Sequence, residues 1–400
     1  MSSFSTIPSA PVDPILGLTE AFKKDSSSTK VNLGVGIYQD AHGNVPILKA
    51  VQKATTLYTS LEDTKAYLPI DGLASYNSET QHLLFGSDNT VVTEGAVATV
   101  QTVGGSGALR IGMQFLKDFY PDATIYISAP SWGNHQVIAS SVGIPVKEYP
   151  YYSAEEHGLN RHAMLTTLSE APAQSIILLH ACCHNPTGVD LDNDTWKQVV
   201  DICRERSLIP FIDCAYQGFA EGIEEDAYPI KLFADSGLTF LVANSYAKSL
   251  SMYRERCGAL SVVTSSQEEA QAVTSQLKRI IRTMYSSPPS FGAQIVSLVL
   301  STPELRSMWI QELDEMRLRI LEMRELFTTT LAEVAPNRDF SFIKNQRGMF
   351  SYSGLSEKAV NKLREDHHIY ALKSGRICIA ALNQQNIHYV CESIAKVLNT

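Results

Sequence analysis

Between residues 97 and 263 the chain repeats one pattern: a short apolar run rich in β-branched residues stops at small or polar side chains, and a stretch with helical spacing comes next. Such runs cover 97–103, 124–128, 145–149, 175–180, 210–213, 239–244 and 260–263. Between them, sets such as Trp196, Val199, Val200 and Cys203 fall on one helical face. Strands alternating with helices predict an α/β fold whose mostly parallel sheet is covered on both faces. In such sheets ligands bind at the carboxyl ends of strands, so the residues just after each run carry the functional argument.

The run before Ser245-Tyr246-Ala247-Lys248 reads as a buried strand, and Arg256 stands eight residues after Lys248. A lysine at a strand mouth, flanked by Ser and Ala, suits a partly desolvated amine of the kind a Schiff base needs. The alternative is a surface lysine beyond a core strand. Phe211-Ile212 leads into Asp213, and Tyr216 stands three residues on. A carboxylate at a buried strand end calls for a cation or a donor; an N-cap for Asp213 and a core position for Tyr216 are the plainer readings. The run ending at His180 leads to His184-Asn185-Pro186-Thr187-Gly188, a turn carrying a polar amide. Arg376, after Ser374-Gly375, stands where a guanidinium can clamp a carboxylate or make a surface salt bridge. The first run ends in Gly104-Gly105-Ser106-Gly107 ahead of a helical face, which presents free N–H groups to an anion. This is not G-x-G-x-x-G, and no acid stands where a ribose needs one, which argues against a nicotinamide dehydrogenase.

The chain's 400 residues, 44% of them apolar, suffice for one large core and a smaller second unit. We expect an arm over 1–13, a small domain from 14–45 together with 316–400, and a large domain over 46–315. Residues 34 and 36 are glycines in an otherwise apolar segment, permitting close backbone approach. A capping-box spacing at 266–269 starts a helix expected to reach about 279, and the prolines at 288 and 289 break the helical pattern beyond it. A long helix is expected over 303–326, then short strands at 350–352, 369–372 and 376–379. Net charge is −9 without acidic or basic blocks, so neither nucleic acid nor an anionic membrane is an expected partner. Seven irregularly spaced cysteines, no charged-then-apolar leader and no run of about twenty apolar residues point to a reduced, cytoplasmic protein. Cys182-Cys183-His184 lacks metal-ligand spacing, so no metal is expected.

Taken together, these motifs resemble class I aminotransferases of the aspartate aminotransferase subgroup over nearly the whole chain, from Asp13-Pro14-Ile15 to Arg376. The resemblance also rests on Tyr67-Leu68-Pro69-Ile70-Asp71-Gly72, Trp132-Gly133-Asn134-His135 and Asp213-Cys214-Ala215-Tyr216-Gln217-Gly218-Phe219. Tyr285-Ser286-Ser287-Pro288-Pro289 and Asn345-Gln346-Arg347-Gly348-Met349-Phe350-Ser351-Tyr352 are most similar to bacterial aromatic-amino-acid (tyrosine) aminotransferases.

That resemblance implies pyridoxal 5'-phosphate bound as a Schiff base on Lys248, in a homodimer with shared sites. It implies that Asp213 pairs with the pyridine nitrogen, supported by His135, that Asn185 and Tyr216 bond the phenolic oxygen, and that Trp132 stacks on the ring. Gly105, Ser106, Ser245 and Arg256 take the phosphate, with Tyr67 of the neighbouring subunit. Arg376 holds the substrate α-carboxylate near Gly36, Trp132 and Asn185, and the neighbour's Arg282 meets a second carboxylate. Gly104 and Ala247 replace serines of many aspartate enzymes, a change expected to weaken phosphate binding slightly. The expected reaction passes the amino group of tyrosine, phenylalanine or aspartate to 2-oxoglutarate. An aspartate enzyme with little aromatic activity, a pyridoxal-phosphate lyase or decarboxylase, and a binding protein without catalysis are the alternatives.

Overall fold

A computed structural model describes residues 3–10, 14–61 and 63–398. Its centre is a seven-stranded sheet in the spatial order Val97–Val103, Cys257–Val263, Phe240–Ser245, Ile209–Cys214, Ile176–His180, Ile125–Ala129 and Val146–Pro150. Every expected strand is present with ends shifted by a residue or so, except that the second in this order starts at Cys257 instead of 260. Gly258 explains the difference. Glycine ordinarily weakens a strand, but a Cβ here would lie 2.4 Å from the Gly104 carbonyl carbon, so the close backbone approach requires it.

Cys257–Val263 runs antiparallel to both its neighbours, while the remaining neighbouring pairs are parallel. Alternate strand residues supply opposite faces. Ile176, Leu178, Phe211 and Leu241 join one buried cluster, which the Gly104–Phe119 helix covers with Leu109, Met113 and Leu116. Ile177, Leu179, Ile212 and Val242 join another, covered by Trp196, Val199 and Cys203 of the Asn193–Arg206 helix. Each fully buried aliphatic side chain contributes about 1.5–3 kcal/mol, so this two-sided burial fixes the strand register and with it the strand ends.

Before the alternation begins, the chain forms the helices Lys49–Ser60 and Ala74–Phe85. Two expectations about helices need correction. The 267 helix runs to Met284, past the expected 279; Pro288 lacks the N–H that would bond the carbonyl of residue 284, so its interruption falls only there. The long helix continues to Val334, with Phe327 and Leu331 extending its buried face. Near the carboxyl end, Phe350–Tyr352 pairs antiparallel with Arg376–Cys378, and Val31–Asn32 pairs in parallel with Ile369–Tyr370. Of the expected arm, residues 3–10 are exposed and the rest lie outside the described residues, as does Asp13. No helix among the described residues is long and apolar enough to cross a membrane.

Candidate active site

The antiparallel strand decides which side chains meet. Phe240–Ser245 ends where Cys257–Val263 begins, with Gly258 opposite Ser245, so the intervening connection returns Lys248 and Arg256 to one sheet edge. Val103 is paired with Cys257, which brings the start of the Gly104–Phe119 helix to the same place. Asp213 pairs in register with His180 on the adjoining strand. These ends enclose a cavity of about 230 Å³ lined by Gly36, Gly105, Ser106, Trp132, Asn185, Asp213, Tyr216, Ser245, Lys248, Arg256 and Arg376, all expected from the sequence.

His135 lies behind the cavity wall, with Nε2 2.8 Å from Asp213 Oδ2 and Nδ1 2.9 Å from Ser131 Oγ. Burial alone would push the Asp213 carboxyl up, but the His135 hydrogen bond and neighbouring positive charge outweigh it and hold Asp213 below the usual carboxylate range. Burial lowers the Lys248 amine from its ordinary value; Asp213 opposes that shift and Arg256 adds to it. The amine lies 4.8 Å from the centre of the Tyr216 ring. Burial raises the Tyr216 phenol, which therefore stays protonated as a donor.

Arg376 is buried, donating to Asn185 Oδ1 at 3.0 Å and to the Gly34 carbonyl, while its Nε has no hydrogen-bond partner among the described residues. An arginine buried without a carboxylate is costly, and burial lowers its pKa. An incoming carboxylate supplies what it lacks. Asn185, its oxygen so engaged, keeps its amide N–H groups for the cavity.

The helix that starts at Gly104 has Val103 at its N-cap and no side-chain cap, which leaves its first N–H groups to an anion. Ser106, Ser245 and the Arg256 guanidinium border the same region. Gly104 itself has φ +69°, and a Cβ there would lie 2.6 Å from Arg256 Nη2. The positive φ and the nearby guanidinium are reasons for glycine at this position. The donor set fits pyridoxal phosphate: an amine for its aldehyde, a carboxylate for its ring nitrogen and an uncapped helix for its phosphate.

Tyr67 and Arg282 are not brought to this cavity by their own chain. Tyr67 is 96% exposed, and Arg282 lies on the surface bonded to Ser286. Conversely, the cavity includes His180 and Phe350, whose roles sequence reasoning missed. His180 Nδ1 accepts the Asn185 backbone N–H at 3.3 Å, and burial lowers its pKa to about 3, so it is neutral. Aligning the ends of the 175–180 and 210–213 runs would have flagged it. The Phe350 ring underlies Arg376, 4.0 Å from the guanidinium carbon; its motif is part of the resemblance, but nothing in it points to this contact.

Cys182, Cys183 and Asp226 place potential ligand atoms within 4.8 Å of one another. Asp226, however, accepts backbone N–H groups from Gly218, Ala220 and Glu221. A hydrogen bond to Cys183 and burial raise the Cys182 thiol, and burial raises Cys183 to about 12, so both are protonated thiols in the cluster as it stands. His184 bonds Ser128 and Thr187 through its two ring nitrogens.

The family model described as "Aminotransferase class I and II" matches residues 28–394. An aspartate aminotransferase of Pseudomonas aeruginosa is 52% identical over all of both chains. An aromatic-amino-acid aminotransferase of Escherichia coli is 47% identical, covering 96% of this chain and 98% of that one. The crystal structure of an aromatic-amino-acid aminotransferase from Burkholderia pseudomallei, described as covalently bound to pyridoxal phosphate, superposes with a TM-score of 0.97 at 51% identity and full coverage of both chains. The chain therefore belongs to the class I and II aminotransferases.

Proposed function

We propose that the protein is an aromatic-amino-acid aminotransferase that uses pyridoxal 5'-phosphate, accepts tyrosine, phenylalanine and aspartate, and passes the amino group to 2-oxoglutarate. The observation that carries this reading is a single cavity in which the Lys248 amine, the Asp213 carboxylate, an uncapped helix start and the partnerless Arg376 Nε all meet. When bound, pyridoxal phosphate supplies the electron sink that stabilises a carbanion at the substrate Cα.

The residues do the rest. Lys248 would hold the cofactor, and its amine, once the incoming amino acid has taken its place, would serve as the base that accepts the substrate Cα proton and carries it within the site. The lowered pKa of Lys248 favours the neutral amine that this step needs. Asp213, oriented by His135, keeps the ring nitrogen protonated. Asn185 and Tyr216 would donate to the cofactor's phenolic oxygen, and Trp132 would pack beside its ring. Gly105, Ser106, Ser245 and Arg256 grip the phosphate. Arg376 takes the α-carboxylate, with Gly36 and Asn185 beside it. A 2-oxo acid leaves and another enters, which gives ping-pong kinetics.

Tyr67 and Arg282 reach the cavity of the partner in a homodimer; their exposure in the single chain supports this. Arg282, bonded to Ser286, can turn toward an aspartate carboxylate or away from an aromatic ring. Relatives named for aspartate and for aromatic substrates support the double specificity. Pairing of Val31–Asn32 with Ile369–Tyr370 supports a small domain of 14–45 and 316–400 beside a large domain of 46–315. Seven free cysteines support a cytoplasmic location.

The test mixes purified holoenzyme with single amino acids and tracks the cofactor spectrum and the 2-oxo acid released. Stoichiometric 2-oxo acid from phenylalanine, tyrosine and aspartate is expected. An aspartate preference of several orders of magnitude would leave an aspartate aminotransferase, and release of carbon dioxide or ammonia would make the enzyme a decarboxylase or lyase.

A further inference from the structure

Arg324, on the Pro303–Val334 helix, is 1% exposed and bonds to backbone carbonyls and a hydroxyl. Its Nη2 donates to the carbonyls of Gly348 (2.5 Å) and Phe350 (3.5 Å), and its Nη1 to Ser351 Oγ and the Ile343 carbonyl. Its Nε has no partner among the described residues. Burial lowers its pKa to about 10, a measure of the cost of placing a cation there. Burying a cation without a carboxylate partner is costly, and the carbonyls and hydroxyl that Arg324 bonds are what offset that cost.

Its partners lie in the segment that supports the substrate arginine. Ser351 and Tyr352 pair with Ile377 and Arg376 across the two-stranded sheet. The Phe350 ring lies 4.0 Å from the Arg376 guanidinium carbon, and a Cβ on Gly36 would lie 2.4 Å from Phe350 Cζ. Gly348 abuts the loop that carries Asn185: a Cβ there would lie 2.4 Å from Cys183 Cβ. The segment is therefore held on one side by Arg324 and on the other by Arg376, Gly36 and the 183–185 turn.

We infer that Arg324 is a positioning residue for the α-carboxylate site, clamping residues 348–351 so that Phe350 and the Asn185 loop hold the Arg376 guanidinium in its binding orientation. This rests on the reading of Arg376 given above. Arg324 touches neither substrate nor cofactor; its effect passes through Gly348, Phe350 and Ser351.

The experiment compares Arg324→Met, Phe350→Leu and Arg376→Lys holoenzymes by KM and kcat for phenylalanine and aspartate and by thermal unfolding. The α-carboxylate is held equally in the ground and transition states, so Arg324→Met should raise KM for both amino acids roughly tenfold and change kcat by less than about threefold. A lowered melting temperature with KM unchanged for both substrates would overturn the inference. If Arg324→Met does not fold, Phe350→Leu decides: the same selective rise in KM supports the clamp, and an unchanged KM overturns it. Arg376→Lys separates the two readings, because an unchanged KM there removes the α-carboxylate assignment itself.

Discussion

His135 Nε2 lies 2.8 Å from Asp213 Oδ2, and both side chains are buried. A carboxylate at a buried strand end thus has the donor its position demands. Replacing Asp213 with alanine should lower kcat roughly 10²–10³-fold, the loss typical of one preorganised electrostatic group. His135→Asn, which removes only the support, should cost about 1.5–3 kcal/mol, or roughly ten- to a hundredfold in kcat/KM. Steady-state kinetics on phenylalanine check both, and equal losses would contradict the division of roles. Because the folded carboxyl is depressed, its contribution to stability is present above the unfolded value and disappears as pH falls through the folded one. Acid unfolding of the cofactor-free protein should show this loss only below about pH 4.

Lys248 gives a pH prediction with a definite sign. The proton-accepting form is the neutral amine, so the first half-reaction, recorded in a stopped-flow instrument, should speed up as pH rises through the amine's lowered pKa. Arg256 pushes that pKa down, and Arg256→Gln should move the rising limb to higher pH. Asp213 pushes it up, and Asp213→Asn should move the limb to lower pH in whatever activity remains. Shifts in the opposite directions would show that Lys248 is not the titrating base. Lys248→Ala should abolish turnover.

At Gly104 a side chain would have to accept φ +69° and displace Arg256 Nη2, which lies 2.6 Å from the Cβ position. For a non-glycine residue the left-handed conformation alone costs about 1–2 kcal/mol. Gly104→Ala should therefore weaken pyridoxal phosphate retention by about tenfold or more, with inorganic phosphate competing less well. Equilibrium dialysis against the cofactor provides the measurement; unchanged affinity would remove Arg256 from the phosphate site.

The exposed Arg282 allows a subunit-mixing test. Arg282→Ala should lower kcat/KM for aspartate by roughly 10²-fold or more, the loss of a charge-paired carboxylate. Phenylalanine should be affected only a few-fold. Hybrid dimers of Arg282→Ala with Lys248→Ala chains should regain aspartate activity, since one site then takes its lysine from one chain and its arginine from the other. Hybrids no more active than either parent would place Arg282 in its own chain's site.

The sheet was legible because two-sided burial leaves near-continuous apolar runs such as Ile176–His180 and Phe240–Ser245, and their carboxyl ends mark the cavity. Helix ends were less legible. No breaking residue stands close after 326 in the long helix, and its buried face simply continues to Leu331. The antiparallel direction of Cys257–Val263 was hidden, since direction is set by tertiary pairing and not by composition. His180 could have been found from strand alignment. Phe350 and Arg324 could not, because their roles depend on distant contacts with Arg376 and Gly348 that no local pattern announces.

The reversed strand also limits where this chain can be cut and rejoined. Residues 246–256 carry the Lys248 amine and the Arg256 guanidinium on one tether, fastened at each end to adjoining rungs of the sheet. New termini or a spliced-in domain there would unmoor both groups together. A break at the opposite, amino-terminal ends of the parallel strands would leave each of them anchored, so circular permutants should tolerate the one placement and lose all chemistry with the other.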